Sequence, residues 1–277
     1  MDMNIVKNIG FSIFALAAIA AAYNVYDNNR IIVKEQMVYI DNLPQEFENF
    51  KILQITDLHG KYFGMDQSLL IGQVNSIKYD MIAFTGDMAA ESANDFTSFI
   101  ELLKGINNKE YMFYVNGNHD TAYLAGNITA SGKSLEQNGC ILLTEPHPIK
   151  RGDKTIWISN YESALKNNGD IKIMLTHIPF TKIDFKDFDK SSILDYSLII
   201  AGHYHGGQIR IPFYGALYIP GSISERRVWL PKQEDVSGLS SDLGIQQYIS
   251  AGLGASIIPF RVFDTPEINL IILRRKF

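Results

Sequence analysis

Short apolar runs of strand length, each ending abruptly in a polar cluster, recur through the middle of the chain. Lys51-Ile-Leu-Gln-Ile-Thr56 gives way to Asp57-Leu58-His59, Met81-Ile-Ala-Phe-Thr85 to Gly86-Asp87, and Tyr111-Met-Phe-Tyr-Val115 to Asn116-Gly117-Asn118-His119-Asp120. Lys172-Ile-Met-Leu175 ends in Thr176-His177, and Leu198-Ile-Ile200 in Ala201-Gly-His-Tyr-His-Gly-Gly-Gln208. Apolar runs bounded in this way predict buried strands. Between the early runs the spacing becomes helical. Leu69, Leu70, Val74 and Ile77 predict a helix capped by Asp66, and Phe96, Phe99, Ile100 and Leu103 predict a second. A weaker helical pattern covers 129–137.

A further strand is predicted at 31–40, before the Leu43-Pro44 turn. From Cys140 onward the pattern is richer in strands, at 140–143, 155–159, 208–211, 247–251 and 268–273, whereas 179–192 and 222–242 read as irregular. Strands alternating with helices indicate an α/β fold, in which ligands gather where strands end and loops begin. Five separate polar clusters lie at that end of their strands, so they are expected to converge on one site.

The N-terminal pattern is different. Residues 9–26 carry no charge, with Lys7 before them and Asp27 and Arg30 after. The run is long enough to cross a bilayer, and its polar positions form no stripe, so an uncleaved anchor is expected. A cleaved signal peptide is the competing reading, because Ala20-Ala21-Ala22 offers a peptidase small residues. Lys7 and the free amine favour the N-terminus inside and the domain outside, a bias that Arg30 and Lys34 blunt. The chain then divides into an anchor and joint at 1–30 and a single domain at 31–277.

Composition narrows the chemistry. At 277 residues and 46% hydrophobic, the chain can bury a full core. A net charge of −5 argues against broad nucleic-acid binding. The single cysteine, Cys140, excludes an internal disulfide and Cys-x-x-Cys chemistry and is expected to be a buried, inert thiol.

Five of the six histidines (His59, His119, His177, His203 and His205) fall in the strand-end clusters, beside Asp57, Asp87 and Asn118. His147, between Pro146 and Pro148, reads as a loop residue without a metal role. Imidazole, carboxylate and one amide oxygen suit borderline divalent metals, and there are too many donors for one closed tetrahedral ion. Gly252-Leu253-Gly254 reads as a turn near that site, and Arg226-Arg227 as solvated.

The ordered set Asp-x-His, Gly-Asp, Gly-Asn-His-Asp, His and Gly-His-x-His resembles the calcineurin-like superfamily of binuclear metallophosphoesterases. Gly-His-x-His-Gly-Gly-Gln-Ile-Arg-Ile-Pro, Gly252-Leu-Gly254 and Pro266-Glu267-Ile268 are similar to a membrane-anchored bacterial branch, which includes UDP-2,3-diacylglucosamine pyrophosphatase-like phosphohydrolases. The resemblance implies a four-layer α/β/β/α sandwich of two mixed sheets. It also implies two divalent ions (Mn, Fe or Zn), one held by Asp57, His59, Asp87 and His205 and the other by Asp87, Asn118, His177 and His203. Asp87 would bridge them. A metal-bridging hydroxide would attack a phosphoester or pyrophosphate, with His119 protonating the leaving oxygen and Asp120 orienting it. The anchor points to a phosphorylated lipid or small-molecule substrate of the envelope. The alternative is a membrane-tethered binding scaffold without catalysis. A nuclease is disfavoured by the acidic balance and the anchor.

Overall fold

The computed structural model describes residues 3–90, 95–120, 133–163, 171–181, 193–221, 227–241, 243–256 and 258–276. Helix α1 (Met3–Asn29) leads into β1 (Ile32–Ile40), followed by β2 (Lys51–Ile55), α2 (Ser68–Ser76), β3 (Met81–Thr85), α3 (Thr97–Gly105), β4 (Met112–Val115) and β5 (Ile141–Leu142). Next come β6 (His147–Arg151), β7 (Lys154–Asn160), β8 (Ile171–Leu175) and β9 (Leu198–Ala201). Two small hairpins pair β10 (Arg210–Ile211) with β11 (Gly215–Ala216), and β12 (Tyr218–Ile219) with β13 (Val228–Trp229). The chain closes with β14 (Gly238–Ser240), β15 (Gln247–Ile249) and β16 (Glu267–Arg275).

Two six-stranded mixed sheets result, ordered β1-β16-β2-β3-β4-β5 and β14-β15-β9-β8-β7-β6. Within the first, β2 to β5 are parallel; within the second, β7, β8, β9 and β15 are parallel. Because side chains alternate along a strand, each parallel strand feeds two cores. Ile52, Met81, Ala83 and Phe113 meet Ile156, Ile173, Leu198 and Ile200 between the sheets. Leu53, Ile82, Phe84 and Tyr114 face the other way, onto Leu70 and Val74 of α2 and Phe99 and Leu103 of α3. Outside the second sheet lies a smaller cluster of Met174, Phe180, Ile193, Tyr196 and Ile199, with a helical turn at 193–194. This is the expected α/β sandwich of two packed mixed sheets.

The ends of the sheets are tied together. Gln54 of β2 donates to the carbonyl of Ala201 at the end of β9, 2.8 Å away. Since β16 runs antiparallel to β2 and parallel to β1, the start of β1 lies at the same end as the close of β2. Helix α1 therefore joins the domain at the end where the polar clusters lie.

Along Lys7–Asn29, α1 is long and apolar enough to cross a membrane and is unburied in its most apolar stretch. Its foot is docked: Asn24 and Asn28 donate to the carbonyl of Arg261, and buried Asp27 accepts from Arg30 and Thr265.

Several local expectations are corrected. Asp66 does not cap α2; it and Gln67 have left-handed φ of 51° and 61°. The buried Gln67 amide closes that entry, accepting from the Phe63 N–H and donating to the Lys61 carbonyl. His147 opens β6 rather than a loop, on the sheet edge where Pro148's missing N–H costs no ladder bond, with its ring 4.9 Å from Phe113. The strand expected at 208–211 shrinks to Arg210–Ile211, since Gln208 turns at φ 54°. The stretch 222–242 contains β13 and β14. Of the helix expected at 129–137, residues 133–137 are helical and 129–132 lie outside the described residues. Cys140 is buried, as expected.

Candidate metal centre

Three of the five polar clusters, those after β2, β3 and β9, leave their strands through left-handed turns. Asp57, His59, Asp87, His203 and His205 all adopt positive φ, at 54°, 49°, 53°, 75° and 49°. For residues with a Cβ this conformation costs about 1–2 kcal/mol apiece, and such strain concentrates at functional sites. The turns swing side chains from separate strands over the common end of the two sheets.

One ligating atom each from Asp57, His59, Asp87 and His205 lie within 4.8 Å of one another. The His59 and His205 Nε2 atoms are 3.1 Å apart, and His205 Nε2 is 3.4 Å from Asp57 Oδ1. A second group, from Asp87, His177 and His203, meets the same spacing. His177 Nε2 lies 3.2 Å from Asp87 Oδ2, 3.2 Å from His203 Nδ1 and 3.0 Å from Asn118 Oδ1. Asp87 belongs to both groups. All seven residues expected to be ligands are thus brought together, from both sheets.

Four of them are held from behind: His177, His203, Asp57 and Asp87. His177 Nδ1 faces the Thr85 carbonyl at 2.8 Å, and His203 Nε2 faces the Gly221 carbonyl at 3.0 Å. A carbonyl can only accept, so those nitrogens carry a proton, which leaves the opposite nitrogens as the ones that can ligate once deprotonated. Asp57 accepts from the Thr56 hydroxyl and the His203 N–H, and Asp87 from the His119 N–H at 2.9 Å. The backbone also approaches very closely. A Cβ at Gly117 would lie 2.0 Å from Asp87 Oδ1, and one at Gly202 would lie 2.5 Å from Asp57 Oδ2.

Residues 50–207 match the calcineurin-like phosphoesterase family, over a span that contains every one of these residues. The chain belongs to that family. The metallophosphoesterase YkuE of Bacillus subtilis is 29% identical over 248 residues, covering 84% of this chain and 82% of its own length. A second Bacillus subtilis metallophosphoesterase, YkoQ, is 27% identical over 243 residues, covering 83% and 85%. The phosphodiesterase YaeI of Escherichia coli is 24% identical over 238 residues, covering 81% and 82%. The chain is accordingly a metal-dependent phosphoesterase by family.

The donor set of this phosphoesterase fits divalent cations. Two carboxylates, four imidazoles and an amide oxygen converge on shared points in a site that is buried apart from exposed Asn118 and half-buried His59 and His203, and this mix of donors suits borderline divalent metals. The proton affinities reflect that burial. Burial, with the Asp87 charge nearby, pushes Asp57 up to about 7 although His177 opposes it. Burial also works against charge on Asp87, but His177 and His59 outweigh it and hold that carboxyl well below its usual range. Burial disfavours protonated His177, yet Asp87 lifts it to about 9. Burial, then His177, lowers His203 to about 4, and burial, then His59, holds His205 well below the usual imidazole range.

A cavity of about 510 Å³ opens over the centre. Asp87, Asn118, His119, His203 and His205 form its polar end; Ile209, Leu217, Tyr218, Trp229 and Ile258 supply apolar wall. The His119 side chain is a third exposed there, with Nε2 3.9 Å from Asp87 Oδ2. Arg227 lines the cavity as well as being solvated, and Arg226 lies outside the described residues. Asp120 is fully buried, and its carboxylate accepts from the Tyr114 hydroxyl and from the Gly117, Met88 and Ala89 N–H groups. It braces the loop that carries Asn118 and His119. Gly252-Leu253-Gly254 forms the expected turn, with Leu253 and Gly254 donating to the Thr56 and Asp57 carbonyls.

Sequence reasoning missed Thr56 and Arg261. The Arg261 guanidinium is wholly buried and donates to the carbonyls of Gly254, Ala251 and His205. An arginine among apolar residues at 258–263 carries no local signal of that role.

Proposed function

We propose that this protein is a binuclear phosphohydrolase that cleaves a phosphoester or pyrophosphate bond in a substrate with an apolar portion, at a membrane anchored by α1. One observation carries the reading: seven donors from five strand ends form two overlapping groups sharing Asp87, at the floor of a cavity whose wall is apolar. Asp57, His59, Asp87 and His205 would hold one cation; Asp87, Asn118, His177 and His203 would hold the other. Mn²⁺, Fe²⁺/Fe³⁺ and Zn²⁺ all suit these donors. Such cations supply Lewis acidity toward phosphoryl oxygens and lower the pKa of water, so that hydrolysis runs near neutral pH.

The chain's own groups do the remaining work. Asp87 would serve both sites: its Oδ2 lies 3.2 Å from His177 Nε2 and 3.5 Å from His59 Nε2, while its Oδ1 is held by the His119 N–H. The Thr85 and Gly221 carbonyls keep His177 and His203 in the ligating tautomer. His119, tied to Asp87 through its backbone N–H, stands at the cavity edge where its imidazole can protonate a leaving oxygen. The apolar wall favours a lipid-linked or envelope substrate over a free inorganic phosphate. The charge balance around α1, Lys7 and the free amine against Arg30 and Lys34, favours a domain outside the cytoplasm.

Hydrolysis of bis(4-nitrophenyl) phosphate by the detergent-solubilised chain with Mn²⁺ tests this. Wild type is expected to turn over, Asp87→Asn to lose activity, and His119→Ala to fall by roughly 100-fold or more. Equal rates in His119→Ala and wild type would remove the proton-transfer role. No hydrolysis by wild type with Mn²⁺, Fe²⁺ or Zn²⁺ would leave a non-catalytic scaffold.

A further inference from the structure

Residues 258–263 (Ile-Pro-Phe-Arg-Val-Phe) invert the usual partition of side chains. Their one charged residue, Arg261, is fully buried, while Ile258, Phe260 and Phe263 are 38%, 46% and 54% exposed. The inversion is pinned from both sides. Inside, the Arg261 guanidinium bonds the Gly254, Ala251 and Asp264 carbonyls and the Asp264 carboxylate. Outside, its backbone is clasped by α1: Asn24 and Asn28 donate to its carbonyl at 2.6 and 2.8 Å, and its N–H donates to Asn28 Oδ1 at 2.7 Å. Lys61 adds a bond to the Asn28 carbonyl.

That clasp fixes the depth of the loop. The uncharged stretch of α1 ends at Tyr26, and Asp27 is the first charge after it. If α1 spans a bilayer, residues 24–28 lie where hydrocarbon meets headgroups, because an apolar core of about 30 Å takes about 20 helical residues. Tyr23 and Tyr26, both exposed, stand at the same level, where aromatic rings favour a membrane interface. Phe260 and Phe263 flank the clasped residue and share that level. The loop is also part of the site: Ile258 lines the cavity, and Gln208 donates to the Ile258 carbonyl.

We propose that this loop is a second membrane contact. Ile258, Phe260 and Phe263 lie in the interfacial layer of the bilayer that α1 spans, and the cavity mouth opens against the lipid surface. The inference rests on the anchor reading given above but not on catalysis. It accounts for three exposed apolar side chains beside a buried arginine, and it lets an amphiphile enter the cavity without its apolar part crossing water.

Site-directed spin labelling tests it on the full chain, because Cys140 is buried and one cysteine introduced at the surface is then the reactive one. Phe260→Cys, Phe263→Cys, Ala18→Cys in α1 and Asp153→Cys at the opposite end of the sheets would be labelled and placed in phosphatidylethanolamine/phosphatidylglycerol nanodiscs. Collision with oxygen reports lipid, and collision with a nickel chelate reports water. Labels at 18, 260 and 263 are expected to lose nickel accessibility and gain oxygen accessibility relative to 153. A lipid-like label at 18 with water-like labels at 260 and 263 would overturn the loop contact while leaving the anchor. Water-like labels at all three would overturn the anchor and the loop together. Labels at 260 and 263 shielded from both reagents would assign the patch to a protein partner and also overturn the proposal.

Discussion

At Gly117 a single methyl group is enough to break the centre. Its backbone passes so close to Asp87 that an added Cβ would meet Oδ1 at 2.0 Å, well inside contact distance, and the neighbouring atoms belong to the same ligand. Gly117→Ala is expected to displace the shared carboxylate and cut Mn²⁺ uptake and hydrolysis together, by roughly the 10–100-fold seen when groups that orient ligands are lost. Metal content and turnover at saturating Mn²⁺ would measure both; normal values would contradict the close approach. The proton balance of the centre gives a second residue-level expectation. Metal-free Asp57 and His177 are held at about 7 and about 9, above their ordinary 3.8 and 6.5. Raised values mean that their contribution to the metal-free fold is full below the ordinary values and is lost as pH rises through about 7 and then about 9. Ligation needs each group deprotonated, and each serves a different ion, so Mn²⁺ at the Asp57 site expels a proton below about 7 and Mn²⁺ at the His177 site expels one below about 9. Affinity should therefore climb by up to about tenfold per pH unit at each site, levelling off sooner at the Asp57 site than at the His177 site. Calorimetric titration on either side of pH 7 would show it, and a flat profile would contradict it.

The elements were legible in the sequence wherever burial alone shaped the pattern. Parallel strands that are covered on both faces read as continuous apolar runs, and they must stop where polar ligands begin, so β2, β3, β4, β8 and β9 stood out with the residues at their ends. Entry to α2 was not legible, because Asp66 has the chemistry of a cap but sits in a left-handed turn closed instead by Gln67. Strand β6 was hidden by two prolines around His147, which only an edge position tolerates. Asp120 shows the same limit at the loop after β4. A carboxylate in Gly-Asn-His-Asp reads as a partner for the histidine, whereas its burial among three backbone N–H groups and the Tyr114 hydroxyl depends on how that loop packs on the loop after β3. Asp120→Ala would strand those buried donors at about 1–3 kcal/mol each. Denaturant unfolding should show a loss of about 3 kcal/mol or more; a loss under about 1 kcal/mol would mean that the loop holds its shape without the brace.

At the scale of the whole molecule, the two face-packed sheets share the end where α1 enters, and the candidate centre lies across the junction between them. Asp57, His59, Asp87 and Asn118 follow strands of the first sheet; His177, His203 and His205 follow strands of the second. Gln54 and the turn at 252–254 cross the same junction by hydrogen bonds. The turn at 252–254 was legible as a glycine-flanked turn near the site, whereas the Gln54 crossing had no sequence signal, because it depends on how the sheets pack rather than on any local pattern. Arg261 then links this junction to the foot of α1, so that helix, the cavity wall and the candidate ligands form one connected unit. The most direct test of the central claim is anomalous diffraction at the manganese edge from crystals grown with Mn²⁺. The expected result is two peaks, one among Asp57, His59, Asp87 and His205 and the other among Asp87, Asn118, His177 and His203. One peak, or none, at this junction would contradict the paired-ion account.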